Sequence, residues 1–150
     1  MSYIDKLIAN CQAAKVAKSI KEFEGNDLSA LSFGDKAIYI IEEINGNPEQ
    51  TFLDFSRYKQ KKERACAKLN SPSSIMYVGS STTDVKKRIE QHMGQGHKGT
   101  YALHLHHWFR GEYKIIIRQY DVSNEVLQII EDDISDRLRP AFGKQGSNNK

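Results

Sequence analysis

Three short runs rich in β-forming residues, set among stretches with helical periodicity, constrain this chain most. The runs are 37–44 (AIYIIEEI), 75–80 (IMYVGS) and 113–120 (YKIIIRQY). Each is long enough for a strand and shorter than an ordinary helix. Asn45-Gly46-Asn47-Pro48 ends the first run with strong turn chemistry, and Asn70-Ser71-Pro72-Ser73-Ser74 precedes the second.

The intervening segments read as helices. Residues 3–23 space Ile4, Leu7, Ile8, Cys11 and Ala14 helically, and 24–35 reads as a connector containing Gly25, Asn26, Asp27 and Gly34. Residues 51–69 carry Phe52, Phe55, Tyr58, Cys66 and Leu69 among lysines and arginines, which predicts a helix with one apolar stripe. A further helix is expected over 83–92, capped by Thr82, Thr83 or Asp84. Residues 94–99 form a glycine-rich loop, 100–109 suit either helix or strand, and 124–138 form a helix that Arg139-Pro140 ends. The expected fold is α/β in the α+β sense: a small, three-stranded, mainly antiparallel sheet flanked by helices. One domain spans 1–150, with a helical extension at 1–36, a helical insertion at 45–74 and a polar tail at 143–150.

Composition narrows the class. With 150 residues the chain supports one core, and 27% charged against 39% hydrophobic residues is a globular balance. A net charge of +3 is compatible with a nucleic-acid partner. Cys11 and Cys66 form no C-x-x-C pair and are expected as reduced thiols. No apolar run approaches the roughly 20 residues of a membrane span, and 1–19 lacks the apolar centre of a signal peptide. The chain is expected in the cytoplasm, with no membrane partner.

Chemistry concentrates at three places. On helix 124–138 the apolar stripe is Leu127, Ile130, Ile134 and Leu138, and Glu131 shares its phase. A carboxylate on a buried face is costly unless paired, hydrogen-bonded or bound to a cation. On helix 83–92, Arg88 and His92 stand four apart on one edge, both suited to phosphate oxygens. In the strands, Ala37-Ile38-Tyr39 and Tyr77-Val78-Gly79 each present a tyrosine among small or apolar residues. A tyrosine in a strand usually serves packing.

Those two tripeptides resemble the namesake pair of the GIY-YIG nucleases, and the likeness runs from about Ala37 to Gly146. The resemblance implies further positions in the same order: an arginine after the second tripeptide (Arg88), a histidine one turn later as in some restriction enzymes (His92), and a metal-binding glutamate on a later helix (Glu131). It implies a DNA phosphodiesterase in which Glu131 holds Mg²⁺ or Mn²⁺ and Arg88 neutralises the phosphate. Tyr39 is the leading base for the attacking water and Tyr77 the runner-up, with His92 tuning the tyrosine or relaying its proton. Lys98, Lys87, Lys59, Lys61 and Lys62 are expected on the nucleic acid, and Tyr39, Tyr77, Arg88 and Glu131 in one cleft. Cutting both strands would suit a homodimer.

Three positions differ from the family pattern. Val78 stands for isoleucine in the second tripeptide, and Ala37 replaces the first glycine. Where some members carry an asparagine soon after a proline, Arg139-Pro140-Ala141-Phe142 leads to Gly143, and Asn148 and Asn149 stand in another register. The departures at Ala37 and Gly143 support an alternative reading, a nucleic-acid-binding protein that keeps the fold and cuts nothing. A third reading is a zinc site among His97, His104, His106 and His107, although a solvated or DNA-facing histidine patch beside Trp108 is preferred.

Overall fold

A computed structural model describes residues 1–29, 32 and 36–144. The connector's Gly34 and the tail beyond 144, with Asn148 and Asn149, lie outside the described residues.

The elements run α1 (Tyr3–Val16), β1 (Lys21–Gly25), β2 (Ala37–Ile44), α2 (Pro48–Gln60), β3 (Ile75–Ser81), α3 (Val85–Glu90), β4 (Glu112–Gln119) and α4 (Asn124–Leu138). The sheet is antiparallel throughout, in the order β1-β4-β2-β3. The α+β expectation holds, with four strands in place of three. The added strand is β1. Helix α1 stops at Ala17, and from Ile20, whose N–H donates to Gln119 O at 2.8 Å, the chain pairs along β4. Phe23 faces Ile117 in that register and packs on the core, while Glu22 and Glu24 meet Arg118 and Lys114 across the strands. The pairing overrides the helical spacing of 3–23.

Side-chain alternation divides the core into two layers. Ala37, Tyr39 and Ile41 of β2 face Ile115 and Ile117 of β4, Phe55, Ile89 and Phe142. Ile38 and Ile40 face the other way, onto Val126, Leu127, Ile130 and Ile134 of α4. Helix α1 lies against α4.

Helix boundaries follow their caps. The Asn47 side chain accepts from the Glu49 and Gln50 N–H groups and Pro48 opens α2, so that helix starts before residue 51. It ends at Gln60, and Cys66 and Leu69 belong instead to isolated bridges with Ala102 and Phe142. Asp84 caps α3 and Ser123 caps α4. Leu138, expected on the α4 stripe, is exposed at its end. Residues 100–109 contain a single 3₁₀ turn, Leu105–His107.

Helix α2 enters the core through Phe55, whose ring lies 4.4 Å from that of Phe142 and 4.9 Å from Trp108, centroid to centroid. Phe55→Ala should therefore cost about 3–5 kcal/mol in denaturant unfolding. A cost below about 1 kcal/mol would show α2 to be a separable appendage.

Candidate active site at the edge of the sheet

Edge strand β3 carries Tyr77-Val78-Gly79, and Gly79 pairs directly with Tyr39 of β2. A Cβ on Gly79 would lie 2.4 Å from the Tyr39 hydroxyl oxygen and 2.5 Å from its Cζ. The Tyr39 ring thus reaches across the missing side chain, and its hydroxyl lies over the edge strand. The Tyr77 ring stacks parallel to it, 6.0 Å away with 3° between planes.

His92 stands in the π turn Gln91–Gln95 that continues α3, fully buried against both tyrosines. The Leu103 N–H donates to its Nδ1 at 3.1 Å. Burial first, then the charge of Arg88, hold its pKa well below the ordinary 6.5. The ring is therefore neutral with its proton on Nε2, which donates to the Tyr39 hydroxyl at 2.9 Å. This corrects one expectation: with both nitrogens engaged inside the core, His92 does not reach phosphate.

Arg88 is half-buried. Its guanidinium donates to Tyr101 O at 2.9 Å, to Gln91 Oε1 at 3.0 Å and to the Tyr77 hydroxyl at 3.5 Å. Burial works against its charge, but the two tyrosines more than offset this and raise its pKa. Tyr39 is raised well above 10, by burial first and then by Tyr77, while Arg88 pulls it down. Tyr77 is raised by burial against the same opposing pull.

Glu131 comes from the other layer. Helix α4 packs on the opposite face of the sheet, and the Glu131 carboxylate meets Ser80, beyond Gly79 on β3, and accepts from Gln128 Nε2 at 3.1 Å. It is 5% exposed, and burial raises its pKa. Its charge raises both tyrosines. Among the described residues no arginine or lysine forms an ion pair with it. The four residues do not share one open cleft as expected: Tyr77 and Arg88 meet at the β3 edge, Tyr39 is buried in the core, and Glu131 stands on the α4 side of the sheet, from which its charge reaches both tyrosines.

A cavity of about 610 Å³ opens beside Tyr77 and Arg88, lined also by Lys59, Lys68, Lys144, Cys66, Ala67, Tyr101 and Gly143. A shallower groove holds Ser80, Lys87 and Arg88. Of the expected nucleic-acid lysines, Lys59 and Lys87 reach these two walls. Lys61, Lys62 and Lys98 are exposed and line neither. Lys68, Tyr101 and Lys144 carry no periodic signal that sequence reading could use, because distant contacts bring them together. Gly143 has φ +105, and a Cβ there would meet Tyr77 Cε2 at 2.7 Å, so an asparagine would strike that ring. An asparagine does serve this segment: Asn70 Nδ2 donates to Pro140 O and Gly143 O.

His97, His106 and His107 are exposed, as a solvated patch requires, and His104 alone of the cluster is buried. His104 is fully buried with Nε2 between Ala65 O and Thr100 O, His97 Nδ1 accepts from Gly99, and His107 Nε2 meets Gly94 O. Among the described residues, no three His, Cys, Asp or Glu side chains are grouped to hold a metal. Cys11 and Cys66 are free thiols.

An antiparallel sheet with two stacked tyrosines, an arginine and a buried glutamate at its edge defines a nuclease-type α+β domain. The family model of the GIY-YIG catalytic domain matches residues 56–145, more than half of the chain, and the chain belongs to the GIY-YIG nuclease family. The match begins within α2 and leaves Ala37-Ile38-Tyr39 outside it, while Gly79, which pairs with Tyr39, lies within it. Neither a curated protein nor a solved structure matches the chain significantly. The domain is a nuclease domain with a nucleic-acid substrate, and no helix among the described residues is long and apolar enough to cross a membrane.

His92 yields a pH test. Its folded pKa is depressed, so its stabilising contribution is full above about pH 6.5 and is lost as pH falls toward the folded value. Stability should fall below about pH 6.5 by up to about 1.4 kcal/mol per pH unit for this residue. His104 is depressed by burial and acts in the same direction, whereas Glu131 is raised and acts oppositely. His92→Gln should flatten the slope by one histidine's share in urea titrations at several pH values. An unchanged slope would place an ordinary histidine at 92.

Proposed function

We propose that the protein is a metal-dependent endonuclease that hydrolyses DNA phosphodiester bonds at the β3 edge. The observation that carries this reading is Glu131: a buried carboxylate with no ion pair among the described residues and only the more distant charge of Lys144 acting on it, placed where its own charge is felt by both tyrosines. A lone carboxylate among hydroxyl and amide groups suits a hard cation that keeps most of its water, and it does not suit zinc. Glu131 would hold Mg²⁺ or Mn²⁺. Bound there, the cation would polarise the scissile phosphate and replace the carboxylate's repulsion of a tyrosinate with attraction.

The chain's own groups supply the rest. Arg88, charged and fixed between Tyr101 O and Tyr77, neutralises charge gathering on the phosphate. Tyr39 takes the proton of the attacking water. Its oxygen already receives His92 Nε2–H and feels the Arg88 charge, both of which hold a phenolate better than a phenol. Burial keeps Tyr39 neutral in the free protein, so its own proton would pass to bulk water before the phenolate accepts one from the attacking water. A second reading makes Tyr77 the base, because Tyr77 lines the cavity. Lys59 and Lys87, on the two cavity walls, bind neighbouring phosphates, and Lys61, Lys62 and Lys98 a more distant stretch of backbone. A homodimer would cut both strands.

Plasmid cleavage with Mn²⁺ tests these roles. Tyr39→Phe should lose about 10²- to 10⁴-fold in rate, with a smaller loss in Tyr77→Phe. The reverse order would assign the base to Tyr77. Glu131→Gln should abolish cleavage, keep DNA binding, and leave thermal stability in EDTA unchanged or higher, since a buried charge is removed. A large fall in melting temperature with residual cleavage would contradict the metal role. A wild-type protein that binds DNA and cuts none would favour the non-cleaving reading.

A further inference from the structure

The cavity beside Tyr77 is shaped for more than a backbone phosphate. Its cations are Lys59, Lys68, Arg88 and Lys144, and no carboxylate among the described residues lines it. Between them lie apolar walls, among them the Tyr77 ring, and the volume of about 610 Å³ falls within the range of small-molecule sites. At its edge Tyr101 is 70% exposed, a large aromatic left in solvent. Its ring stacks on no other ring among the described residues, and its carbonyl is held by Arg88.

Cations beside an exposed aromatic ring are the elements of single-strand recognition: the cations follow phosphates, and the ring stacks on any base. Bases of an intact duplex are stacked inside it and cannot enter such a cavity. We propose that this cavity receives an unpaired nucleotide next to the scissile phosphate, with its base on Tyr101 and its phosphate among Lys59, Lys68 and Lys144. The preferred substrate is then single-stranded DNA, or DNA with an unpaired base beside the cut. The proposal rests on the nuclease reading for the position of the cut and extends it to substrate class. Because Arg88 is bonded to the Tyr101 carbonyl, a base docked on Tyr101 also bears on the arginine that faces the phosphate.

The test measures binding of a short labelled oligothymidylate and of a duplex of equal length by fluorescence anisotropy, in EDTA to prevent cleavage. Tyr101→Ala should weaken oligothymidylate binding by roughly 5- to 100-fold and duplex binding by less than about twofold, while Tyr101→Phe retains both. An equal loss on both DNAs, or no loss, overturns the proposal. Tyr101 is exposed, and a melting curve for each variant confirms that folding is kept. Cleavage assays separate this idea from the function it rests on. If wild type cuts DNA but Tyr101→Ala shows no selective loss, the cavity proposal falls and the nuclease reading stands. If the selective loss appears in a protein that cuts nothing, the pocket stands and the nuclease reading falls.

Discussion

The Tyr39–Gly79 pair across β2 and β3 is the contact on which the site depends. A side chain at position 79 would occupy the space of the Tyr39 hydroxyl, so glycine there lets a core tyrosine reach the sheet edge. Everything else is arranged about that oxygen. Tyr77 stacks on the same ring, His92 donates to the hydroxyl, and Leu103 fixes the His92 tautomer. Both tyrosines belong to the main core cluster, so the site is a polar seam in the layer that also holds Phe55 and Phe142. Buried polar groups of this kind are stable only when their partners are complete.

The electrostatics are assembled from both layers of the fold. Arg88 approaches the tyrosines from their own face and Glu131 acts on them from the α4 face, at β3, the edge strand of the sheet. Their effects on the tyrosines oppose each other: Arg88 favours the ionised form and Glu131 disfavours it. Burial adds to the second effect, so the free protein keeps both tyrosines protonated. A dication at Glu131 would reverse one of the two unfavourable contributions, which links metal binding to activation of the base.

Much of this was legible in sequence, for local reasons. Strands β2, β3 and β4 and helix α4 announced themselves by composition and period, and Glu131 by its phase on an apolar stripe. Arg88 and His92 followed from spacing on a short helix. What was misread depended on distant partners. Strand β1 exists because β4 offers an edge to residues 21–25, and Cys66 and Leu69 left the helical stripe to bridge Ala102 and Phe142. His92 read as a phosphate ligand, whereas Leu103 and Tyr39 take both its nitrogens. Tyr101, Lys68 and Lys144 share no local pattern at all; only the folded chain sets them around one cavity.

The central claim is that one divalent cation binds at Glu131, close to both tyrosines. Titration of Mn²⁺ followed by NMR of the tyrosine rings and backbone amides tests it directly, because the paramagnetic ion broadens nearby signals. The account predicts selective broadening of Tyr39, Tyr77 and Ser80, with Tyr113 sharp, and loss of the effect in Glu131→Gln. Broadening centred on His106 and His107, or broadening that persists in that variant, would contradict it.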